Sequence, residues 1–290
     1  MTYTNKIFEF AKQFSPALYW MSIIENSNSA TLAITPANKA NDCYSVSKLF
    51  TVTALGMLYD EGKLDVNEKI VDIFSTQLPP DLHPNWKSVT VDMVMRHRWG
   101  IEKGFLDIDC EDVNAYAALY GQRNNYLKII FSVPLSSMPN QEKVYSDAAY
   151  YLLSRVVAKK SEMDLYDYLR IKLFNPLEFE EAAWAKCPMG YSMGATGLYL
   201  RSSDMVKLGQ VYLQDGQFNH QQIISSAWRD LVFEREYELS KCNASGYCKN
   251  GMHGQCLYVD PAHHFTAGWL GFDSVGYQNQ LHRFLMELNA

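Results

Sequence analysis

The sequence predicts an α+β protein in which strands from both ends of the chain build one sheet and a helical lobe is inserted between them. Three observations carry this expectation. Strand-length apolar runs fall near the two ends, at 18–24, 30–34, 255–259 and 264–270. A long helical period starts at Ser45, and between about residues 63 and 185 helical signals dominate while strand-like alternation is scarce.

Taken in order, Ile7, Phe8, Phe10, Ala11 and Phe14 form a helical face. Leu18–Ile24 and Ala30–Ile34 are strands separated by the polar turn of residues 25–29. From Ser45 onward Val46, Leu49, Phe50, Thr53, Ala54, Met57 and Leu58 recur at three- and four-residue spacings, and Gly62 stops the helix. The helical stretch that follows is broken by Pro79, Pro80, Pro84, Pro134, Pro139 and Pro176. Gly197–Leu200 is strand-like and leads into a helix over Ser202–Leu213. Two further strands then precede an amphipathic helix over Tyr277–Leu288. The expectation is a single domain over 1–290, with a sheet lobe of 1–62 and 190–290 and a helical lobe of 63–189.

A chain of 290 residues, 48% of them apolar, can bury a full core. Its net charge of −6 comes from scattered residues, and no basic block exists to neutralise phosphates, so nucleic acid is not an expected partner. The first residues lack a basic n-region followed by an unbroken apolar stretch, and no apolar run reaches about 18 residues, so neither export nor membrane insertion is expected. A cytoplasmic location follows as an expectation, and the six cysteines (43, 110, 187, 242, 248 and 256) then read as reduced thiols. Cys242, Cys248, His253 and Cys256 cluster late in the chain, but their spacing fits no zinc pattern and no metal is expected.

The first string with chemistry in it is Tyr44-Ser45-Val46-Ser47-Lys48, at the entry to the long helix. Residues three apart share a helix face, so Lys48 can reach and activate the Ser45 hydroxyl. Unpaired N–H groups at the helix start favour an oxyanion formed there. This string resembles the Ser-x-x-Lys nucleophile motif of serine β-lactamases, penicillin-binding peptidases and their esterase relatives. Leu55–Asp65 is similar to the family's first helix and the turn after it. Val89–Gly100 is similar to the stretch that normally ends His-Thr-Ser-Gly, with Arg98 and Trp99 in place of Thr and Ser. Tyr145-Ser146-Asp147 resembles the Tyr-x-Asn motif of class C enzymes, with Asp for Asn, and Lys249-Asn250-Gly251 resembles Lys-Thr-Gly. The stretch from Gly194 to Gly209 is similar to the one that precedes the third motif, and the likeness runs from about Tyr44 to Gly271.

The resemblance implies a β-lactamase/transpeptidase-like fold with an antiparallel sheet, and acyl transfer without metal or cofactor. Ser45 would be the nucleophile, Tyr145 the proton carrier and Lys48 its electrostatic support. A tyrosine with a pKa near 10 needs such cationic help. Asp147 is expected to keep Lys48 protonated. The N–H groups of Ser45 and Met252 would form the oxyanion hole. Either Lys249 or His253 would hold the basic position beside the substrate, with Asn250 and Gly251 in support. The string Gly251–Gln255 most resembles the esterase and 6-aminohexanoate-dimer hydrolase branch, which implies a small ester or short linear amide as substrate. The alternatives are a lactam or D-amino acid peptide substrate, and a catalytically weak binding protein on the same scaffold.

Overall fold

The computed structural model describes residues 2–106 and 125–288; Cys110 lies outside them. Strands β1 (Leu18–Glu25), β2 (Asn28–Ala33), β3 (Ala40–Asp42), β4 (Ala182–Trp184), β5 (Leu198–Arg201), β6 (Gln217–Phe218), β7 (Gln221–Gln222), β8 (Ser240–Lys241), β9 (Tyr247–Asn250), β10 (Cys256–Asp260) and β11 (Phe265–Gly271) follow in chain order. Six of them form the main sheet in the order β2-β1-β11-β10-β9-β8, and every reported pairing is antiparallel. The first two strands of the chain thus lie against the last four, as the two clusters of apolar runs require. The turn between β1 and β2 is tighter than expected: Glu25 pairs with Asn28, and Asn26 and Ser27 turn the chain with φ of 47° and 68°. Paired positive φ values match the twist of a two-residue hairpin.

The main sheet buries both faces. On one, Met21, Ile23, Tyr258, Phe265, Ala267 and Trp269 pack with Ile7 and Ala11 of the helix Tyr3–Ala11 and with Leu281 and Leu285 of the helix Gln278–Leu288. On the other lies the helix Ser202–Leu213, where Ser22 and Ser202 hydroxyls meet at 2.9 Å. A Cβ on Gly268 would stand 2.9 Å from Val206 and 3.0 Å from Met205, so glycine here allows the close approach of helix to strand.

The helix Ser47–Asp60 begins two residues later than the period suggested, after a 3-10 turn over Tyr44–Val46. Residues 46–58 are all buried, which is why the helix is apolar on every side. It ends in a Schellman arrangement: Lys63 N–H donates to Leu58 O at 2.9 Å, Gly62 N–H donates to Tyr59 O at 3.0 Å, and Gly62 has φ of 68°.

The chain divides into two compact units, residues 1–50, 170–183 and 196–290, and residues 51–169 and 184–195. These boundaries differ from the expected 62/63 and 189/190. The second unit takes in most of the long helix, and the first takes in residues 170–183, where Glu180 and Glu181 N–H groups donate to the buried Asp204 carboxylate at 3.1 and 3.2 Å. The second unit is helical and its core is aromatic. Trp86 and Trp99 are fully buried with ring centres 5.3 Å apart, and Phe131 packs edge-on to Trp86 at 5.0 Å. Trp99, which breaks the usual family string, is therefore a core residue.

Candidate active site

In the first unit, Cys43 N–H donates to Leu198 O at 2.9 Å, pinning the chain to β5 just before Ser45. Asp42 Oδ1 accepts from Tyr44 N–H at 2.7 Å and Tyr44 takes a φ of 47°, so the chain turns sharply into the 3-10 turn that carries Ser45. Ser45 is half-buried and Lys48 is fully buried. Lys48 Nζ donates to Ser45 Oγ at 2.9 Å. A buried lysine is rare unless partnered, and here a partner is the candidate nucleophile. The neighbouring Cys43 thiol is pushed well up by burial and by Asp42, which keeps it protonated and unreactive.

The third motif lies on β9 and the loop after it. Gly251 N–H donates to Gln255 O at 2.7 Å, and a Cβ on Gly251 would stand 2.8 Å from the Cys43 carbonyl oxygen. The absence of a side chain thus lets the loop lie directly against the backbone that leads into Ser45. Gln255 fixes the loop from within: its Oε1 accepts from His253 N–H at 3.1 Å and its Nε2 donates to Gly271 O at 2.6 Å. His253 stacks on Phe272 at 4.2 Å and meets the Tyr44 ring edge-on at 4.9 Å. Met252 is half-exposed.

Strand alternation sends the other two motif residues to opposite faces. Lys249 is buried and its ammonium pairs with the buried Glu238 carboxylate. Asn250 is exposed and borders a cavity with Cys242 and Cys248. The structure therefore brings Ser45, Lys48, Gly251 and His253 into one neighbourhood; Lys249 shares the strand face of Gly251 and pairs with Glu238, and Asn250 lies on the opposite face.

In the second unit, Tyr145 is 47% exposed and directly precedes the helix Asp147–Ser161. Ser146 caps that helix by accepting from Ala148 N–H at 3.2 Å, and its hydroxyl also donates to Phe105 O at 3.0 Å. His97 Nδ1 accepts from Ser146 N–H at 3.3 Å, and its ring lies 4.5 Å from that of Tyr145. Asp147 is buried in the first turn of the helix.

Three residues that the sequence did not mark stand beside the motif residues: in the first unit Gln255 inside the loop and Glu238 paired with Lys249, and in the second unit His97 against Tyr145. His97 stands in the string Val89–Gly100 and Gln255 in Gly251–Gln255, so both lay within recognised strings. Glu238 had no signal beyond its charge.

The comparisons give the family to which this arrangement belongs. Residues 36–271 match the model of the Beta-lactamase family, and the chain belongs to that family of serine hydrolases. It is 28% identical over 259 residues to an N-acetylmuramyl-L-alanine amidase of Bacillus subtilis, with 72% of this chain and 58% of the relative covered. The chain spans about half the length of the curated relatives it matches. Among solved structures it is similar to a Bacillus anthracis protein provisionally assigned as a 6-aminohexanoate-dimer hydrolase, with a TM-score of 0.79 at 16% identity and coverage of 97% and 80%. It is also similar to a penicillin-binding protein of Bacillus halodurans, with a TM-score of 0.69 at 15% identity and coverage of 98% and 99%. At these identities the structural likeness establishes the fold, β-lactamase/transpeptidase-like, as the motifs implied. No described helix is long and apolar enough to cross a membrane.

Proposed function

We propose that the chain is a cytoplasmic serine hydrolase that cleaves a small carboxylic ester or short linear amide through an acyl-enzyme on Ser45. The observation that carries this reading is the 2.9 Å hydrogen bond from the fully buried Lys48 to Ser45 Oγ. Ser45 Oγ bonds to the substrate carbonyl carbon while its proton passes to Tyr145, and the tetrahedral oxyanion is held by the N–H groups of Ser45 and Met252. Collapse breaks the bond to the leaving alcohol or amine, which takes the proton back. Water then repeats the sequence, releasing the acid and free Ser45. Lys48 supports the tyrosine electrostatically, and Asp147 supports Lys48. The roles of Tyr145 and Asp147 rest on the order of motifs in the sequence.

His253 is the better candidate than Lys249 for the basic position, because it touches the neighbour of Ser45 whereas the Lys249 ammonium is engaged by Glu238. The family's small-molecule substrates and the amide bond named for the Bacillus subtilis relative support acyl transfer. The five described cysteines are all free thiols, which fits a reducing compartment.

The test is a substrate panel of p-nitrophenyl butyrate, a linear 6-aminohexanoate dimer, nitrocefin and a D-Ala-D-Ala peptide. Turnover of the ester or linear amide above the other two is expected. Turnover confined to nitrocefin or the D-peptide would overturn the substrate assignment, and inertness of folded protein toward all four would overturn the enzyme reading in favour of a binding scaffold.

A further inference from the structure

Three thiols meet on the sheet face that packs against the terminal helices, a part of the first unit with no role in the chemistry above. β8 and β9 form a hairpin in which Ser240 pairs with Cys248 and Lys241 with Tyr247, and Cys242 N–H donates to Gly246 O at 3.0 Å. Cys242 therefore stands diagonally from Cys248 on the same face of the hairpin. On the other side Cys248 pairs with Tyr258 and Asn250 with Cys256, which makes Cys256 a second diagonal neighbour. Cys248 thus has both other thiols close enough to act on its acidity. The hairpin is held in this shape: Asn243 Oδ1 accepts from Ser245 N–H at 3.0 Å and Gly246 N–H at 2.5 Å, and its amide donates to Tyr258 Oη at 3.0 Å.

The three thiols differ in access. Cys256 is fully buried, whereas Cys242 and Cys248 are part-exposed and border a cavity of about 450 Å³ shared with His282 and Arg283. They also differ in acidity. Hydrogen bonds from Cys242 and then Cys256, with His282 and Lys249 nearby, lower the Cys248 thiol, while the bond to Cys248, followed by burial, raises Cys242. A thiol whose acidity is raised beside one whose acidity is lowered, both facing one cavity, is the arrangement of an attacking and a resolving cysteine. Arg283 on the cavity wall favours a reagent that carries a carboxylate.

We propose that Cys242 and Cys248 form an oxidisable dithiol, a modification site at which a small carboxylate-bearing disulfide such as oxidised glutathione closes an intramolecular disulfide. The Cys248 thiolate attacks one sulfur of the small disulfide, whose S–S bond breaks and releases one small thiolate. Cys242 then loses its proton and attacks Cys248 Sγ, expelling the second small thiolate. Two protein thiols are oxidised and one disulfide is reduced to two thiols.

Trypsin cleaves after Lys241 and Lys249, so the two cysteines share one peptide and Cys256 lies in the next. The full chain is incubated with oxidised glutathione, blocked with iodoacetamide, and mapped by mass spectrometry. The expected result is a 242–249 peptide lighter by two hydrogens and unalkylated, restored to two alkylated thiols by prior reduction. Cys242→Ser should retain a glutathionyl group on Cys248, and Cys248→Ser should leave Cys242 unmodified at least tenfold longer. Wild-type protein alone decides the matter if a variant fails to fold. A bridge that joins the 242–249 peptide to the one holding Cys256, or Cys248 reacting no faster than the same cysteine in urea-unfolded chain, would overturn the proposal.

Discussion

Substituting Gly251 by alanine tests whether the loop after β9 and the serine turn act as one piece. The new Cβ would stand 2.5 Å from Gln255 Oε1 and 2.8 Å from the Cys43 carbonyl oxygen. Gln255 cannot swing away without losing its bonds to His253 N–H and Gly271 O, and the carbonyl is backbone. Ordinary contact therefore requires the loop or the Cys43 segment to move by about 0.6 Å. Overpacking of this kind costs about 1–3 kcal/mol, which at roughly 2–4 °C per kcal/mol lowers Tm by about 2–12 °C. The displaced part carries Met252 N–H, the oxyanion donor proposed above, and loss of one such donor would slow acylation by about 10²- to 10³-fold. The assay is Tm by circular dichroism together with the rate of fluorophosphonate acylation. Gly62→Ala is the control: φ is 68° but nothing lies within 4 Å of the added Cβ. It should cost about 1–2 kcal/mol of left-handed strain and leave acylation unchanged. Acylation of Gly251→Ala at the wild-type rate, with Tm lowered, would refute the coupling of loop to nucleophile.

Lys48→Ala, measured on protein shown to be folded by circular dichroism, should lower the acylation rate by about 10²- to 10⁴-fold; a rate within a factor of three of wild type would exclude the lysine from the chemistry. Glu238→Gln leaves Lys249 buried without its carboxylate and should destabilise by about 3–5 kcal/mol in urea unfolding, with the acylation rate of the folded fraction preserved; a selective loss of activity would return Lys249 to the active site. His97→Asn tolerates the φ of 57° at this position but removes the ring under Tyr145, so kcat for an ester should fall while KM holds. Glu25 accepts from Tyr3 N–H, Thr4 N–H and Thr4 Oγ1 at 3.1, 2.9 and 2.6 Å; burial raises its pKa, but these bonds outweigh it and the carboxyl is held below 4.5. Its contribution is fully present above the unfolded value and lost as pH falls through the lower folded value, so Glu25→Gln should lower Tm at pH 7 and by progressively less as pH is lowered, the comparison being thermal melts across an acid pH series.

The sheet was legible because its evidence is local. Apolar runs bounded by turns marked β1, β2, β10 and β11, and the Ser202–Leu213 helix lies where its first polar residues placed it. β8 and β9 carry Ser, Lys, Tyr, Cys and Asn, have no apolar period, and form because β10 offers a free edge. That is a tertiary cause no window of sequence contains. At the site, Ser45 and Lys48 were legible because one helical turn sets their spacing. The partner of Lys249 was not, since Glu238 meets it across a hairpin whose strands were themselves unmarked. The helix start was misplaced by two residues because a 3-10 turn and an α-turn share nearly the same apolar period.

The central claim is that Ser45 is the residue acylated, and intact mass after incubation with a fluorophosphonate tests it most directly. One phosphonyl adduct on wild-type protein, mapped to the peptide holding Ser45 and absent from folded Ser45→Ala, is the predicted result. An adduct that persists in Ser45→Ala, or its absence from folded wild-type protein, would contradict the account.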